Sequence, residues 1–189
     1  MKIDGNTIRP GMAIEHQGRL WRAVKVQHVK PGKGGAFMQV ELKDVRSGSK
    51  LNERFRASES VERARLDERP YQFLYGSDSD YTFMDTENYE QITLGDDLID
   101  ENQARYLQDG MTVTIESHDG SPIGVMLPEK IILSVTEADA VVKGQTQSSS
   151  YKPAVLENGA RVMVPPYIES GTRIVVNSID DTYVERAKD

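Results

Sequence analysis

Cysteine is absent from this sequence of 189 residues. Its absence excludes disulfide frameworks, thiolate zinc sites and cysteine nucleophiles, and it agrees with a reducing compartment. No apolar run approaches the roughly 20 residues that a membrane-spanning helix needs, and the first residues lack the apolar core of a signal peptide. We therefore expect a cytoplasmic protein that does not enter a membrane.

Motifs for catalysis and metal binding are also missing. The three histidines, His16, His28 and His118, form no i, i+4 pair of the kind that builds a helical zinc site. No G-x-S-x-G elbow occurs, and no histidine, carboxylate and nucleophile form a credible set for acyl transfer. The segment from Asp78 has Phe83 where a calcium loop requires glycine. We expect no enzymatic activity, no catalytic residue, no metal and no cofactor.

The charge is distributed unevenly along the chain. Residues 1–64 hold 13 Lys+Arg against 7 Asp+Glu, residues 65–127 hold 3 against 14, and residues 128–189 hold 7 against 9. A basic first third beside an acidic middle indicates oriented docking on a polyanion, because the acidic part resists indiscriminate phosphate contact. A role in solubility alone is the alternative that charge leaves open.

Short runs of alternating apolar and polar residues predict β-strands along most of the chain. Their grouping predicts an all-β protein with three small barrel domains in series, at residues 1–64, 65–127 and 128–189. The second and third domains have the strand number and hairpin spacing of OB-type barrels. One helix is predicted within residues 95–110, with Asp96 or Asp97 as its cap.

A glycine-rich connection separates the two clearest strands of the first domain. Val24 and Val26 alternate with polar residues, as do Met38, Val40 and Leu42, so the two runs are predicted to pair as a hairpin. The connection, residues 28–36, is too long for a tight turn and is therefore expected to project.

Lys33 stands in this connection between Pro31-Gly32 and Gly34-Gly35, with no carboxylate near it in the sequence. Proline restrains the backbone and glycines remove side chains that would obstruct close approach, so Lys33 is predicted to present a slender cation to a deep anionic target. A mobile tip with a solvated lysine is the alternative. A phosphate-binding loop is excluded, because Gln27 replaces its leading glycine and a strand follows where a helix is required.

Two separated motifs carry a resemblance to a known family. The segment from Lys30 to Phe37 resembles the hairpin tip of bacterial translation elongation factor P, in which the lysine at the Lys33 position commonly bears a post-translational extension. Near the end of the chain, Tyr183-Val184-Glu185-Arg186 is similar to the family's terminal Tyr-x-x-Arg. The spacing of the family's third-domain signature is reproduced by Lys152, Pro153, Ala154, Gly159, Val162, Val164, Pro165, Ile168 and Gly171.

The resemblance implies an SH3/KOW-like N-terminal barrel followed by two OB-fold barrels, in an elongated, L-shaped molecule that mimics tRNA. It implies a monomeric translation elongation factor that binds the 70S ribosome between the peptidyl and exit sites and relieves polyproline stalling. Its partners would be ribosomal RNA, the acceptor end of peptidyl-tRNA and a lysine-modifying enzyme acting on Lys33. The residues implied to contact tRNA or the ribosome are Lys30, Pro31, Gly32, Lys33, Gly34, Gly35, Gly144, Gln145, Thr146, Tyr183 and Arg186.

The sequence departs from the family pattern in two places. Gly144-Gln145-Thr146 stands where the family often has Gly-Asp-Thr, a loop associated with the exit-site codon, and residues 177–181 lack an expected arginine. A general OB-type binder of single-stranded RNA is a second hypothesis, disfavoured because aromatic residues make up only 7% of the chain. The elongation-factor-P-like paralogue is a third, and its loop generally lacks the Pro-Gly-Lys-Gly arrangement found here.

Overall fold

The computed structural model of the protein describes residues 1–140 and 150–189. In this part of the chain the secondary structure is almost entirely β, with sixteen strands in three antiparallel sheets and a single short α-helix. The predicted all-β class is confirmed. The helix is far too short to span a membrane, and among the described residues no helix is long and apolar enough to do so.

The first sheet has six strands in the order β1-β6-β2-β3-β4-β5. Inward-facing residues of consecutive strands meet in a core that contains Trp21, Leu42 and Phe55. A 3-10 helix, Gly5–Thr7, follows the first strand. The strands are β1 (Lys2–Asp4), β2 (Ala13–His16), β3 (Arg19–Val29), β4 (Phe37–Asp44), β5 (Lys50–Arg56) and β6 (Ser60–Arg63).

The second sheet has five strands in the order β11-β10-β7-β8-β9. Phe73 and Phe83, directly opposite each other on β7 and β8, are buried with their ring centroids 5.5 Å apart. The strands are β7 (Asp67–Gly76), β8 (Asp80–Asp85), β9 (Gln91–Gly95), β10 (Thr112–His118) and β11 (Ser121–Met126).

The third sheet also has five strands, in the order β14-β13-β12-β15-β16. Its core includes Leu133, Leu156 and Ile174, and it is completed by Tyr106 from the helix. The strands are β12 (Lys130–Ala138), β13 (Lys152–Leu156), β14 (Arg161–Val164), β15 (Arg173–Asn177) and β16 (Thr182–Arg186). Proline is uncommon within a strand, yet Pro153 lies within β13, opposite Met163 of β14.

The helix α1 (Glu101–Tyr106) is shorter than the predicted segment and begins later. Asp100 is its cap: the carboxylate accepts a hydrogen bond from the Gln103 N–H at 2.7 Å, and the Gln103 side chain accepts one from the Asp100 N–H at 3.2 Å. This reciprocal capping box satisfies two backbone donors, which Asp96 and Asp97 are too early in the chain to reach. The predicted cap is therefore wrong, although the helix exists.

The chain forms two compact units. One comprises residues 1–69 with residues 115–124, and the other comprises residues 70–114 with residues 125–189. Strand β10 contributes residues to both units. The three domain ranges expected from the sequence stay a prediction.

Candidate functional site

The glycine-rich connection lies at the end of the β3–β4 hairpin, as predicted. The last pair of residues in the ladder is Val29 with Phe37, so the connection is residues 30–36 and is two residues shorter than the sequence indicated. All six residues from Lys30 to Gly35 are exposed. The hairpin thus brings together the whole predicted tip and presents it to solvent.

Backbone conformation explains one glycine of the tip but not the other two. Gly34 has a φ of +108°, a backbone conformation that a residue with a Cβ rarely adopts. A Cβ built on Gly32 or Gly35 would meet nothing within 4 Å. The fold therefore requires glycine at Gly34 but does not explain the missing side chains at Gly32 and Gly35. Those two positions leave open space on both sides of Lys33.

Lys33 itself is exposed at the apex of the connection. Within residues 1–140 and 150–189, its ammonium takes part in no hydrogen bond or ion pair. Its three N–H donors are free to bind an external group. This arrangement agrees with a lysine that acts on, or is modified by, another molecule.

The root of the hairpin is held by its neighbours. The Ala57 N–H donates to the Ala36 carbonyl at 3.0 Å, and the Gly5 N–H donates to the Glu59 carbonyl at 2.8 Å. Gly5 is buried so closely against β5 that a Cβ there would lie 2.3 Å from the carbonyl oxygen of Arg56. The backbone that leads into the tip is therefore anchored, while the tip residues are not.

The terminal Tyr-x-x-Arg motif lies on β16, at the edge of the third sheet. Tyr183 is opposite Val176 and Arg186 is opposite Ile174, both of which are buried. Residues three apart on a regular strand point to opposite faces, but a β-bulge between them adds one residue, Val184. The bulge places Tyr183 and Arg186 on the same side of the sheet.

Tyr183 is half-buried between two other tyrosines. Its ring packs edge to face against Tyr151, with centroids 6.4 Å apart. Burial, followed by a hydrogen bond with Tyr167, raises the pKa of Tyr183 to about 12. Tyr151 and Tyr167 are exposed and were not predicted as site residues, because isolated tyrosines in irregular segments carry no periodic signal.

The predicted site residues thus fall into separate groups. Residues 30–35 form the hairpin tip of the first sheet, and Tyr183 and Arg186 lie together on the third sheet. The predicted contacts at Gly144, Gln145 and Thr146 lie outside the described residues. Among the described residues, no group of three or more histidines and carboxylates could hold a metal ion.

Comparison with known families covers almost the whole chain. Residues 4–61 match the elongation factor P KOW-like domain, residues 66–125 the elongation factor P OB domain, and residues 131–186 the elongation factor P C-terminal domain. The predicted order of a KOW-like domain followed by OB-type architecture is confirmed. The fold and the exposed lysine tip define a translation factor built from consecutive β-domains.

The chain belongs to the elongation factor P family. It is 60% identical to elongation factor P of Parvibaculum lavamentivorans and 58% identical to that of Brucella canis. Each alignment covers 99% of this chain and 100% of the relative. The family resemblance expected from the two motifs is confirmed, and the protein is a translation elongation factor.

A solved structure shares the fold at lower sequence similarity. The eukaryotic translation initiation factor 5A from Methanococcus jannaschii superposes with a TM-score of 0.50 at 23% identity, covering 65% of this chain and 91% of that protein. At this identity the likeness supports the fold and carries no functional detail.

Proposed function

We propose that this elongation factor binds the 70S ribosome between the peptidyl and exit sites and promotes peptide-bond formation at consecutive prolines. The observation that supports this proposal most directly is Lys33, an exposed cation without an internal partner at the end of an anchored hairpin. In this proposal Lys33 contacts the acceptor end of peptidyl-tRNA. The ribosome performs the chemistry, so the factor itself is not an enzyme.

The physical reason lies in proline itself. Proline has a fixed φ and is a poor, conformationally restricted participant in peptide-bond formation. A positioned cation at the tRNA end lowers the entropic cost of reaching a reactive geometry, and it adds favourable electrostatics in a confined site. The open space at Gly32 and Gly35 suits this role, because side chains there would obstruct a narrow approach.

The tip also suits covalent modification. We propose that a lysine-modifying enzyme acts on Lys33 in the cytoplasm, where the factor works as a monomer. An exposed lysine flanked by glycines offers an enzyme access from several directions, and its ammonium has no internal bond to break. The modification would lengthen the reach of the side chain toward the tRNA end.

The third sheet is proposed as a second contact with tRNA or ribosomal RNA. Tyr183 and Arg186 share one side of the sheet, and the exposed rings of Tyr151 and Tyr167 lie beside Tyr183. Aromatic rings that stack on bases and a guanidinium that binds phosphate are the usual components of such a contact. The segment Gly144-Gln145-Thr146 is proposed to lie near the exit-site codon.

The experiment is a reconstituted translation assay on a message that encodes consecutive prolines. Lys33→Ala is expected to lose most of the stall relief, because the contact with the tRNA end is removed, while synthesis of a proline-free message is unchanged. Lys2→Gln, which removes another exposed lysine of the first sheet, is the matched control and is expected to relieve stalling as well as the wild type. Intact masses of the proteins used establish whether Lys33 is modified.

Full stall relief by Lys33→Ala would refute the role of the lysine. Absence of relief by the wild-type protein, in both its native-source and its unmodified forms, would refute the proposed function as a whole.

A further inference from the structure

One carboxylate of β10 is buried on the face of the strand that does not carry the apolar core residues. Val113 and Ile115 alternate on β10, and both are buried. Glu116 is the next residue, so its side chain points to the opposite face of the strand, yet only 6% of the residue is exposed. Glu116 is therefore covered by a part of the molecule other than the core of the second sheet.

Arg22 of β3 covers this carboxylate. Its Nη2 donates to the Glu116 Oε1 at 3.1 Å, and its Nη1 donates to the Gly11 carbonyl at 2.9 Å. The Gly11 N–H in turn donates to the carbonyl of Ala23, the residue after Arg22, at 2.7 Å. The first sheet thus holds the guanidinium in an orientation that suits Glu116.

The surroundings leave little room for another arrangement of the pair. A Cβ built on Gly124 of β11 would lie 3.3 Å from the Glu116 Oε1 and 3.8 Å from the Arg22 Nη2. Residues 115–124 belong to the same compact unit as the first sheet, so the pair lies within one unit. It joins β3, which carries the tip, to β10, a strand of the second sheet.

A second contact lies two residues further along β10. Residues two apart on a strand share a face, so His118 points to the same side as Glu116. Its Nε2 lies 3.4 Å from the Oε1 of Glu15, on β2, and β2 is the neighbour of β3 in the first sheet. Two contacts to adjacent strands fix the direction of β10 as well as its position, which one contact would not do.

Stability alone does not explain why the main contact is an ion pair. Apolar side chains of similar volume are often as stable in a buried position or more so, because both charges must lose their water. A planar guanidinium that binds a carbonyl and a carboxylate at once accepts few arrangements, whereas apolar side chains slide past one another more easily. The pair is explained better by a need for fixed geometry.

The distance from this pair to the tip makes its geometry important. The strand from Arg22 to Val29, the last residue of β3 in the ladder, is about 23 Å long. A change of about 10° in the direction of β3 at Arg22 would move the base of the tip by about 4 Å over this length. A misplacement of about 1 Å can slow a reaction by about 100-fold, so the position of Lys33 depends on this direction.

We propose that Arg22 and Glu116 are positioning residues, whose buried pair fixes the tip hairpin against β10 so that Lys33 is presented in one direction. Neither side chain touches the tRNA end in this proposal. The benefit to stall relief rests on the proposed function, whereas the fixing of the hairpin does not.

Spin labelling tests the fixing of the hairpin directly, and the lack of native cysteine allows labels at chosen sites. Labels at Gln27→Cys on β3 and Ser121→Cys on β11, both exposed positions, give a distance distribution by double electron–electron resonance. The full chain with its native pair is expected to give one narrow distribution. Arg22→Met and Glu116→Gln should each broaden it about twofold or more, because one partner of a buried pair is lost.

Two further variants test whether the residues act on each other. Arg22→Met and Glu116→Gln together should broaden the distribution no more than the larger single effect, because the pair acts as a unit. Arg22→Lys keeps the charge but loses the planar fork that binds both Gly11 and Glu116, so an intermediate width is expected. It also keeps the test decisive if thermal melting shows that Arg22→Met does not fold.

Glu62→Gln is the matched control. It removes a carboxylate from an exposed ion pair of the same unit, in which the Glu62 Oε1 lies 2.6 Å from the amino terminus. An exposed pair of this kind contributes little to the structure, so the width of the distribution and the stall relief should equal those of the wild type.

The stalling assay, carried out over a range of factor concentrations without labels, tests the consequence for Lys33. Arg22→Met and Glu116→Gln are expected to lower the maximal rate of stall relief about tenfold, because Lys33 is misplaced. The concentration for half-maximal relief should stay within about twofold of the wild type, since the tip and its lysine are intact. A variant that is merely unfolded would raise this concentration instead.

Unchanged widths in folded Arg22→Lys and Glu116→Gln would overturn the proposal. Wild-type rates of stall relief in variants whose distributions are broadened would overturn the positioning role. Broadened distributions without any stall relief by the wild type would instead reject the proposed function and support the fixing of the hairpin by the pair.

Discussion

Lys33 and Tyr183 are both candidate contact residues, but their side chains differ in burial and in internal contacts. Lys33 is exposed, and the described part of the chain offers its ammonium no partner. Tyr183 is half-buried, packed against Tyr151 and hydrogen-bonded to Tyr167. A free cation suits a flexible reach toward a distant group, whereas a braced ring suits a contact of fixed geometry.

The environment of Tyr183 predicts how the residue titrates. Its pKa is raised, so the folded state favours the neutral phenol; the stability this provides is complete below about pH 10 and is lost as the pH rises through about 12. The difference between the ultraviolet titrations of the wild type and Tyr183→Phe is expected to show one phenol with a midpoint near 12. Tyr167→Phe should lower that midpoint, since it removes the hydrogen bond. A Tyr183 midpoint near the ordinary value of about 10 would contradict the packing.

Gly5 predicts a destabilisation that has a purely steric cause. In Gly5→Ala the new Cβ would lie 2.3 Å from the Arg56 carbonyl oxygen, so β5 or the 3-10 helix must shift. We expect a loss of about 1–3 kcal/mol in the free energy of unfolding, measured by chemical denaturation. Gly35→Ala is the control and should change it by less than about 0.5 kcal/mol, because its Cβ enters open space. Equal effects of the two substitutions would show that Gly5 is not closely packed.

At the scale of elements, β-bulges redirect side chains that a strict alternation would misplace. In β3 the bulge falls at Val24, so Ala23 and Val26 face inward and Val24 is 45% exposed. The alternation of Val24 with Val26 predicted the strand correctly but assigned Val24 to the wrong face. In β16 a second bulge brings Tyr183 and Arg186 to one side. A bulge depends on the partner strand, so alternation within one strand does not reveal it.

The cap of α1 gives a prediction that distinguishes the cap seen in the structure from the cap predicted from the sequence. Asp100→Ala removes the hydrogen bond to the Gln103 N–H and is expected to lower the free energy of unfolding by about 1 kcal/mol in chemical denaturation. Asp96→Ala, at one of the two exposed positions that the sequence indicated as the cap, should lower the free energy of unfolding by less than about 0.5 kcal/mol. The reverse order of the two losses would mean that the helix begins earlier.

At the scale of the whole molecule, the structure shows where the basic residues of the first third of the chain lie. Residues 1–64 carry an excess of basic residues, and the register gathers five of them on one face of the sheet that holds the tip. Residues 65–127 are strongly acidic, so their net charge repels the phosphate backbone of RNA. The RNA contacts proposed on the first and third sheets lie outside this acidic stretch.

Local patterns were sufficient to determine much of this protein from the sequence. The alternation of apolar and polar residues predicted the hairpin strands, because the side chains of a strand point alternately to the two faces of its sheet. The glycines around Lys33 predicted the exposed tip, and Gly34 has a positive φ that few other residues tolerate. The two motifs were sufficient to indicate the family. These features depend on residues close together in the chain.

Only the tertiary structure decided the features that depend on residues far apart. One face of the first sheet collects the exposed cations Lys25, Lys43, Lys50, Arg54 and Arg56 because β3, β4 and β5 align in one register. Tyr183 packs against residues 16 and 32 positions earlier in the chain, Tyr167 and Tyr151. The crowding at Gly5 comes from the carbonyl of Arg56, on a strand that the sequence does not connect with it. The sequence determines the type of each side chain. Strand pairing and packing determine which distant groups become neighbours.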